Sequence, residues 1–201
     1  MEKLNPFEEL LNYPIENGLV YETHLSEQRF HLSPNDPLLN IQYITFKKQG
    51  LIFCAYDSYS PHLYSTKTFS GIYSPIRLNP KMEFELSRKH WFNNIFIYNK
   101  RKTGIDLIDR NFTISAAKVW NIGDIFREKE VHLFLDLEKI IKPLKLIIQR
   151  DYIPIINELK GYQIIGLETN QWISREEEVN VFFNLGKELI ESVITASALF
   201  Y

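Results

Sequence analysis

The stretch that decides the fold is IQYITFKKQGLIFCAYD, which runs from Ile41 to Asp57. Two segments rich in β-branched and aromatic residues flank Lys48-Gln49-Gly50, and this arrangement is typical of a β-hairpin. Glycine suits the left-handed backbone position that such a short connection requires. We therefore predict that Ile41–Lys47 and Leu51–Asp57 are paired antiparallel strands.

Strand signals continue on both sides of this hairpin. Leu19–Ser26 and Arg29–Ser33 precede it, and Pro34-Asn35-Asp36-Pro37 predicts a turn after them. In Met82–Leu86, apolar and polar residues alternate, which indicates a strand with one buried face and one wet face. Trp91–Tyr98 is apolar enough for a strand covered on both sides. The first half of the chain is therefore predicted to form a mostly antiparallel sheet.

Helical patterns frame this sheet. In Asn5–Leu11, an asparagine suited to capping precedes a proline suited to the first helical position. Ala116–Glu128 and Lys129–Lys142 have helical spacing, and the proline that follows ends the second of them. Leu144–Ile148 and Tyr162–Leu167 then predict a strand pair in the second half.

The last helix carries the strongest pattern. Ser174 and Glu177 have the spacing of a capping box. One helical face then collects nine residues at i, i+3 and i+4 spacing, namely Val179, Phe182, Phe183, Gly186, Leu189, Ile190, Val193, Ile194 and Ser197. We expect this stripe to pack on the protein's own sheet, with partner binding or self-association as the alternative. The fold class is thus α+β, and residues 1–201 are expected to form a single domain.

Composition and charge exclude several classes of protein. The 201 residues include 23 basic and 25 acidic side chains, so no overall field attracts nucleic acid or anionic lipid. Cys54 is the sole cysteine, which rules out an intramolecular disulfide. No secretory signal and no apolar run of about 20 residues is found, so we expect a cytoplasmic protein without an integral membrane segment.

The sequence contains no recognisable catalytic or metal-binding signature. Its five histidines lack the spacing of a metal site; they are His24, His31, His62, His90 and His132. Cys54 lies in an apolar strand, where burial makes a thiol inert. Neither a serine-nucleophile elbow nor a phosphate-binding glycine loop occurs. We therefore predict no cofactor, no metal and no catalytic residue, and leave open whether the protein is an enzyme.

The most unusual stretch is YDSYSPHLYS, which runs from Tyr56 to Ser65, with Tyr73 in a similar setting nearby. Tyrosine gives a large, rigid contact area and serine adapts its hydrogen bonds, so such segments make good recognition surfaces. A hairpin loop whose tyrosines pack on their own sheet is the simpler interpretation. If the protein binds a ligand or partner, the predicted contact residues are Tyr56, Asp57, Tyr59, His62, Tyr64 and Tyr73.

Three functions are compatible with these patterns. The leading hypothesis is a non-enzymatic binding or protein-interaction module, which uses the Tyr/Ser segment or an exposed sheet edge and also allows self-association. The second is a small-molecule enzyme, of hydrolase type, with a dispersed site such as His62, Asp57 and Glu22. The third is a ligand or lipid pocket between the sheet and the last helix, lined by Phe182, Phe183 and Tyr98.

The segment TGIDLIDRNFTI, from Thr103 to Ile114, resembles a bacterial domain of unknown function with the motif T-G-D-x-x-F-D-x-x-F-x-[IV]. The matching positions are Thr103, Gly104, Asp109, Phe112 and Ile114. Ile105 departs from the expected aspartate, and Ile108 replaces a phenylalanine. The resemblance covers Lys100 to the C-terminus and implies two short helices, a strand pair and a closing helix, with no catalytic residue. Independently of it, Asp109 is expected to accept hydrogen bonds from free backbone donors of this connection.

Overall fold

The computed structural model describes residues 5–30, 33–60, 65–76, 83–89, 103–116, 122–150, 152–153 and 155–198. The strands are β1 (Tyr21–Phe30), β2 (Ser33–Lys48), β3 (Leu51–Ser60), β4 (Ser65–Ile76), β5 (Phe84–Arg88), β6 (Phe112–Ala116), β7 (Lys145–Arg150) and β8 (Gln163–Thr169). The α-helices are α1 (Pro6–Glu16), α2 (Asp106–Asn111), α3 (Ile122–Ile125), α4 (Glu128–Ile140), α5 (Glu176–Val181) and α6 (Lys187–Ala198). A 3₁₀ turn (Asn157–Leu159) precedes β8, and a π-helical turn (Phe182–Gly186) joins α5 to α6.

All eight strands form one sheet, in the order β1-β2-β3-β4-β8-β7-β5-β6. Every neighbouring pair is antiparallel. The predicted α+β class and the antiparallel first half are therefore confirmed. The predicted strand pair of the second half is β7 with β8. It does not stand apart, because β8 pairs with β4 and so extends the sheet of the first half.

The central hairpin forms with the predicted left-handed glycine, but its connection is one residue shorter than predicted. Lys48 pairs with Leu51, so the connection consists of Gln49 and Gly50 alone. Both residues have positive φ angles, 54° and 82° respectively. Two left-handed residues give a turn whose twist matches that of the flanking strands, which explains how this loop sets the register of β2 and β3.

The turn predicted at Pro34-Asn35-Asp36-Pro37 is wrong, because these residues belong to β2. Pro37 pairs with Arg29, and the register shifts on both sides of that arginine. The pairing between β2 and β3 reaches outward to Asn40 opposite Tyr59. Within the described residues, β2 pairs beyond that point with β1, and a proline, which has no N–H group, is tolerated at such an irregular position of a sheet.

The helix ends differ from expectation in two places. Asn5 caps α1 as predicted, accepting a bond of 2.9 Å from the Glu8 N–H, but the helix continues past Leu11 and includes Pro14. The predicted Ser174 cap is wrong. Arg175 occupies that position, and Ser174 instead donates a hydrogen bond of 2.5 Å to Glu9 on α1. The Ser174 hydroxyl thus bonds a residue that is distant in the sequence and does not cap the helix that follows it.

The helices cover one face of the sheet, here called the helical face. Eight of the nine residues in the predicted stripe are buried, and the ninth, Ile194, packs against the same core. Phe182 and Phe183 contact Phe53, with ring centroids 6.4 and 6.3 Å away. Successive residues of an α-helix point about 100° apart, and the π-helical turn, with its wider winding, accompanies the burial of both phenylalanines against the sheet.

The opposite face, here called the back face, has its own smaller core. Its strand residues include Ile52, Cys54 and Tyr73. The segment between β7 and β8 covers them with Ile153 and Leu159, which are 3% and 1% exposed. The central strands are therefore buried on both sides, which explains the continuous apolar run in β3.

Two further expectations concern a membrane-spanning helix and one more strand. In the ranges given above, no helix is long and apolar enough to cross a membrane. The strand predicted at Trp91–Tyr98 lies outside the described residues.

The packing of Tyr73 across β8 generates a first prediction. A Cβ atom on Gly166 would lie 2.4 Å from Tyr73 Cδ1, so Gly166→Ala should lower the free energy of unfolding by roughly 1–3 kcal/mol through overpacking. Chemical denaturation measures this loss. In a Tyr73→Leu background the same glycine substitution should cost less. An equal cost in both backgrounds would show that the tyrosine ring is not the source.

Candidate functional site

The helical face changes from apolar to polar along the strands. One row across the sheet is fully apolar, with Phe46 opposite Phe53 and Phe53 opposite Ile72. Four residues further along each strand, the row consists of Leu25, Gln42, Asp57 and Thr68, each paired with the next. The strands thus extend beyond the helical core, and three of these four inward side chains are polar, Leu25 being the exception.

Asp57 is the centre of this polar row. Its carboxylate accepts hydrogen bonds from Gln42 Nε2 at 3.3 Å and from Thr68 Oγ1 at 2.5 Å. Each donor comes from the neighbouring strand and reaches a different oxygen, so the ladder holds the carboxylate in place. Both donors are neutral, and within the described ranges no lysine, arginine or histidine forms an ion pair with Asp57.

Aromatic residues from two other elements form a wall beside this row. Trp172, in the loop after β8, stacks on Phe7 of α1 with ring centroids 6.0 Å apart. The Trp172 indole donates a hydrogen bond of 3.0 Å to the Pro6 carbonyl. The next residue in the loop, Ile173, donates its N–H to Ser70 Oγ at 2.9 Å. The loop is thereby fixed to both α1 and β4.

Two adjoining cavities open at this place, and Gln42 and Asp57 line both of them. The first, of about 540 Å³, is also lined by Leu25, Ser26, Glu27, Asn40, Ile41 and Tyr59. The second, of about 380 Å³, is completed by Asn5, Pro6, Phe7 and Trp172. Both volumes fall within the range of small-molecule sites. We call the pair the Asp57 groove.

One polar group of the groove is not satisfied. Asn40 Oδ1 is shielded from solvent and has no donor among the residues that the structure describes. A shielded acceptor without a donor costs about 1–3 kcal/mol. Asn40 is paired with both Glu27 and Tyr59 across the ladder, so this acceptor belongs to the same polar end of the sheet.

The structure separates the contact residues that the sequence predicts. Asp57 and Tyr59 line the groove, whereas Tyr56 and Tyr73 point to the back face. His62 and Tyr64 lie outside the described residues. The interpretation of this stretch as a loop is wrong as far as Ser60, because β3 continues to that residue. Side chains alternate between faces along a strand, and this alternation divides the tyrosines.

The two rival site assignments are not supported by the geometry. Glu22 shares the back face with Thr45 and Cys54, so the sheet separates it from Asp57. Phe182 and Phe183 are at most 1% exposed and pack against the sheet's own phenylalanines; they are core residues, not the lining of a pocket. Tyr98 is outside the described ranges.

A second polar cluster lies on the back face around Glu168. Its carboxylate accepts hydrogen bonds from Tyr73 at 2.8 Å and Tyr152 at 3.1 Å, and forms a 2.7 Å ion pair with Lys145. Glu168 is 3% exposed. The Tyr73 hydroxyl occupies the space above Gly71, where a Cβ atom would lie 2.6 Å from it. The missing side chain at that position is what lets the tyrosine reach the carboxylate.

The pKa values in this cluster argue against a catalytic role. Burial and the nearby Glu168 carboxylate raise the pKa of Tyr73 and of Tyr152. Burial alone would lower the pKa of Lys145, but the Glu168 carboxylate outweighs it and raises that pKa. Burial also raises the pKa of the Cys54 thiol. A nucleophile or general base that works near neutral pH needs the opposite shift, so these directions give no support for such a role.

Asp109 has the role that the sequence predicts. Its carboxylate accepts bonds from the backbone N–H groups of Thr103 at 2.7 Å and Gly104 at 3.1 Å. Burial would raise the pKa of Asp109, but these bonds and the Thr103 hydroxyl outweigh it and hold the pKa below its ordinary value. The segment from Thr103 to Ile114 thus contains a carboxylate that closes a turn.

Sequence reasoning missed most of the groove. Gln42, Thr68, Phe7 and Trp172 come from four elements that are far apart in the chain. One signal was present in the sequence: the inward positions of β2 and β3 change from apolar (Ile44, Phe46 and Phe53) to polar (Gln42 and Asp57) towards the same end of the hairpin.

The Glu168 cluster predicts the response of stability to alkaline pH. The folded state raises the pKa values of Lys145, Tyr73 and Tyr152, so it binds these protons more tightly than the unfolded chain does. The stabilisation is complete below the unfolded values of about 10 and is lost as pH rises through the folded ones. We expect the free energy of unfolding to fall above about pH 10, and denaturation across pH 8–11 measures it. A Glu168→Gln variant with an equally steep fall would contradict this origin.

Substitutions should distinguish the two carboxylates. Glu168→Gln removes the 2.7 Å ion-pair partner of Lys145 and should cost roughly 3 kcal/mol, the lower end for a broken buried pair, because Lys145 keeps some solvent contact and the more distant Glu85 carboxylate at 3.9 Å. Asp57→Asn should cost less than about 1 kcal/mol, because Asp57 is half-buried and bonds neutral donors. Chemical denaturation compares the two. A larger loss for Asp57→Asn would mean that the groove carboxylate serves stability.

The Asp57 groove and the Glu168 cluster therefore differ in what they offer to a ligand. The groove is open to solvent, whereas the partners of Glu168 all come from the chain itself. Comparison of the chain with protein-family models, with curated proteins and with solved structures gives no match.

Proposed function

We propose that this protein is a non-enzymatic binding module that takes its ligand in the Asp57 groove. The observation that carries the proposal is the position of Asp57: a carboxylate held by two neighbouring strands at the wall shared by two adjoining cavities. Ligand sites typically combine apolar and aromatic walls with a few well-placed polar groups. Trp172, Phe7 and Leu25 supply the former here, and Asp57 and Asn40 the latter.

The construction of the groove supports ligand binding rather than catalysis. Its floor is a hydrogen-bonded ladder of β1 to β4, and its wall is fixed by the bonds of Trp172 and Ile173. A rigid site loses little conformational entropy on binding. Asp57, which lines both cavities, has no cysteine, histidine or lysine beside it in the described lining, and nucleophilic mechanisms rely on such a partner.

A protein partner or self-association fits the same region. β1 is an edge of the sheet, and its neighbour Val20 and its own Leu25 are 86% and 77% exposed. An edge strand offers unpaired backbone groups to an added strand. Because Leu25 also lines the groove, a peptide paired along β1 would reach the Asp57 groove with its side chains.

A thermal-shift panel of metals, nucleotides, metabolites, lipids and short peptides tests the proposal. A ligand at about 100 times its dissociation constant adds roughly 2.7 kcal/mol of stability, which raises Tm by several degrees for a chain of this size. The shift should persist in Gln149→Ala, a half-buried glutamine of β7, and shrink in Gln42→Ala, which removes the amide common to both cavities.

Two results would contradict the proposal. A panel in which no compound raises Tm would leave the groove without a ligand class. A compound that stabilises Gln42→Ala as much as the wild type would bind elsewhere on the molecule.

A further inference from the structure

The charged groups in the described lining of the Asp57 groove are carboxylates. They are Glu27, which has a partner of its own, and Asp57, which forms no ion pair within the described ranges. In the neighbouring first turn of α1, Glu8 is engaged by the capping box and Glu9 lies near Arg175. The Asp57 carboxylate is therefore the charge that favours a cationic ligand.

The Asp57 carboxylate keeps free acceptor sites for a ligand. A carboxylate offers about four lone-pair sites, and Asp57 uses one on each oxygen, for Gln42 and Thr68. One site on each oxygen therefore remains. The complement of these two acceptors is a ligand with N–H donors.

The N-terminus of α1 does not reverse this preference. A free helix start attracts anions through its unpaired N–H groups. Here Asn5 Oδ1 accepts the Glu8 N–H at 2.9 Å, and Glu8 in turn accepts the Asn5 N–H at 3.2 Å. The capping box therefore engages these donors and places a carboxylate at the same end.

The aromatic residues of the groove favour a planar cation. Trp172 and Phe7 line the cavity that Asp57 also lines, and both are half-buried. A guanidinium group is planar, stacks on aromatic faces and can bond both oxygens of a carboxylate. One lone-pair direction remains on each Asp57 oxygen, which suits that two-pronged contact.

We propose that the Asp57 groove binds a guanidinium group, carried either by a small molecule or by an arginine side chain of a peptide. Asp57 pairs with the guanidinium edge, and Trp172 packs on its face. This inference rests on the proposed function, because it names the ligand class of the same groove.

The test compares N-acetyl-arginine methylamide with N-acetyl-citrulline methylamide, which has nearly the same shape and no charge. NMR titration of the full chain follows the Trp172 indole N–H, assigned with a Trp172→Phe variant. We expect wild-type affinity for the arginine compound to exceed that for the citrulline compound at least tenfold. Asp57→Asn should reduce the arginine affinity to the citrulline level. Asp106→Asn removes an equal charge from an exposed ion pair with Arg110 and should leave both affinities unchanged.

The outcomes separate this inference from the proposed function. If both compounds move the Trp172 signal with equal affinity, or if Asp57→Asn leaves the arginine affinity unchanged, the groove binds ligands but does not select guanidinium. If neither compound moves the signal while a compound from the thermal-shift panel still depends on Gln42, the inference is wrong and the proposed function stands. The citrulline comparison uses the wild-type chain, so it does not depend on the folding of a variant.

Two further probes identify the source of the guanidinium. Agmatine presents it on a small molecule, and the blocked peptide Ala-Ala-Arg-Ala-Ala presents it on an extended chain. At least tenfold tighter binding of the peptide assigns the groove to a peptide or protein partner. Equal or tighter binding of agmatine assigns it to a small molecule. Failure of both probes to bind overturns the guanidinium assignment.

Discussion

The pairing of β4 with β8 is the constraint on which the rest of the structure depends. It joins the hairpins of the first half to the strands of the second, from Ile76 opposite Gln163 to Ser70 opposite Thr169. Gly71 and Gly166 leave the space in which Tyr73 crosses the back face to Glu168. The same pairing brings the loop after β8 to the polar end of β3 and β4. Trp172 therefore reaches α1 because two distant strands are neighbours.

Much of the fold could be predicted from the sequence, because its signals are local. The hairpin with its left-handed Gly50, the Asn5 cap and the stripe of the last helix each depend on residues a few positions apart, and the structure has all three. The errors occur where a distant contact overrides a local preference. Ser174 bonds Glu9 instead of capping its own helix, and Pro37 lies within β2 where the register with β1 shifts, a position at which a strand tolerates proline.

The candidate site was less accessible to sequence reasoning for the same physical reason. Asp57 and Tyr59 were found through composition, yet composition does not say which face of a sheet a residue occupies. Tyr56 was selected on the same ground and lies on the opposite face. Gln42, Phe7 and Trp172 carry no motif, and their meeting follows from strand order. When strand register brings the residues of a site together, their spacing in the sequence does not reveal the site.

The placement of the polar row has a consequence for how this protein can change through evolution. Leu25, Gln42, Asp57 and Thr68 lie on regular strands, beyond the phenylalanines that hold the helices to the sheet. Surface positions away from the core tolerate substitution at small cost in stability. Selection can therefore vary these four side chains while the backbone that displays them stays constant. Divergent descendants of this chain would then differ in what they recognise well before they differ in how they fold.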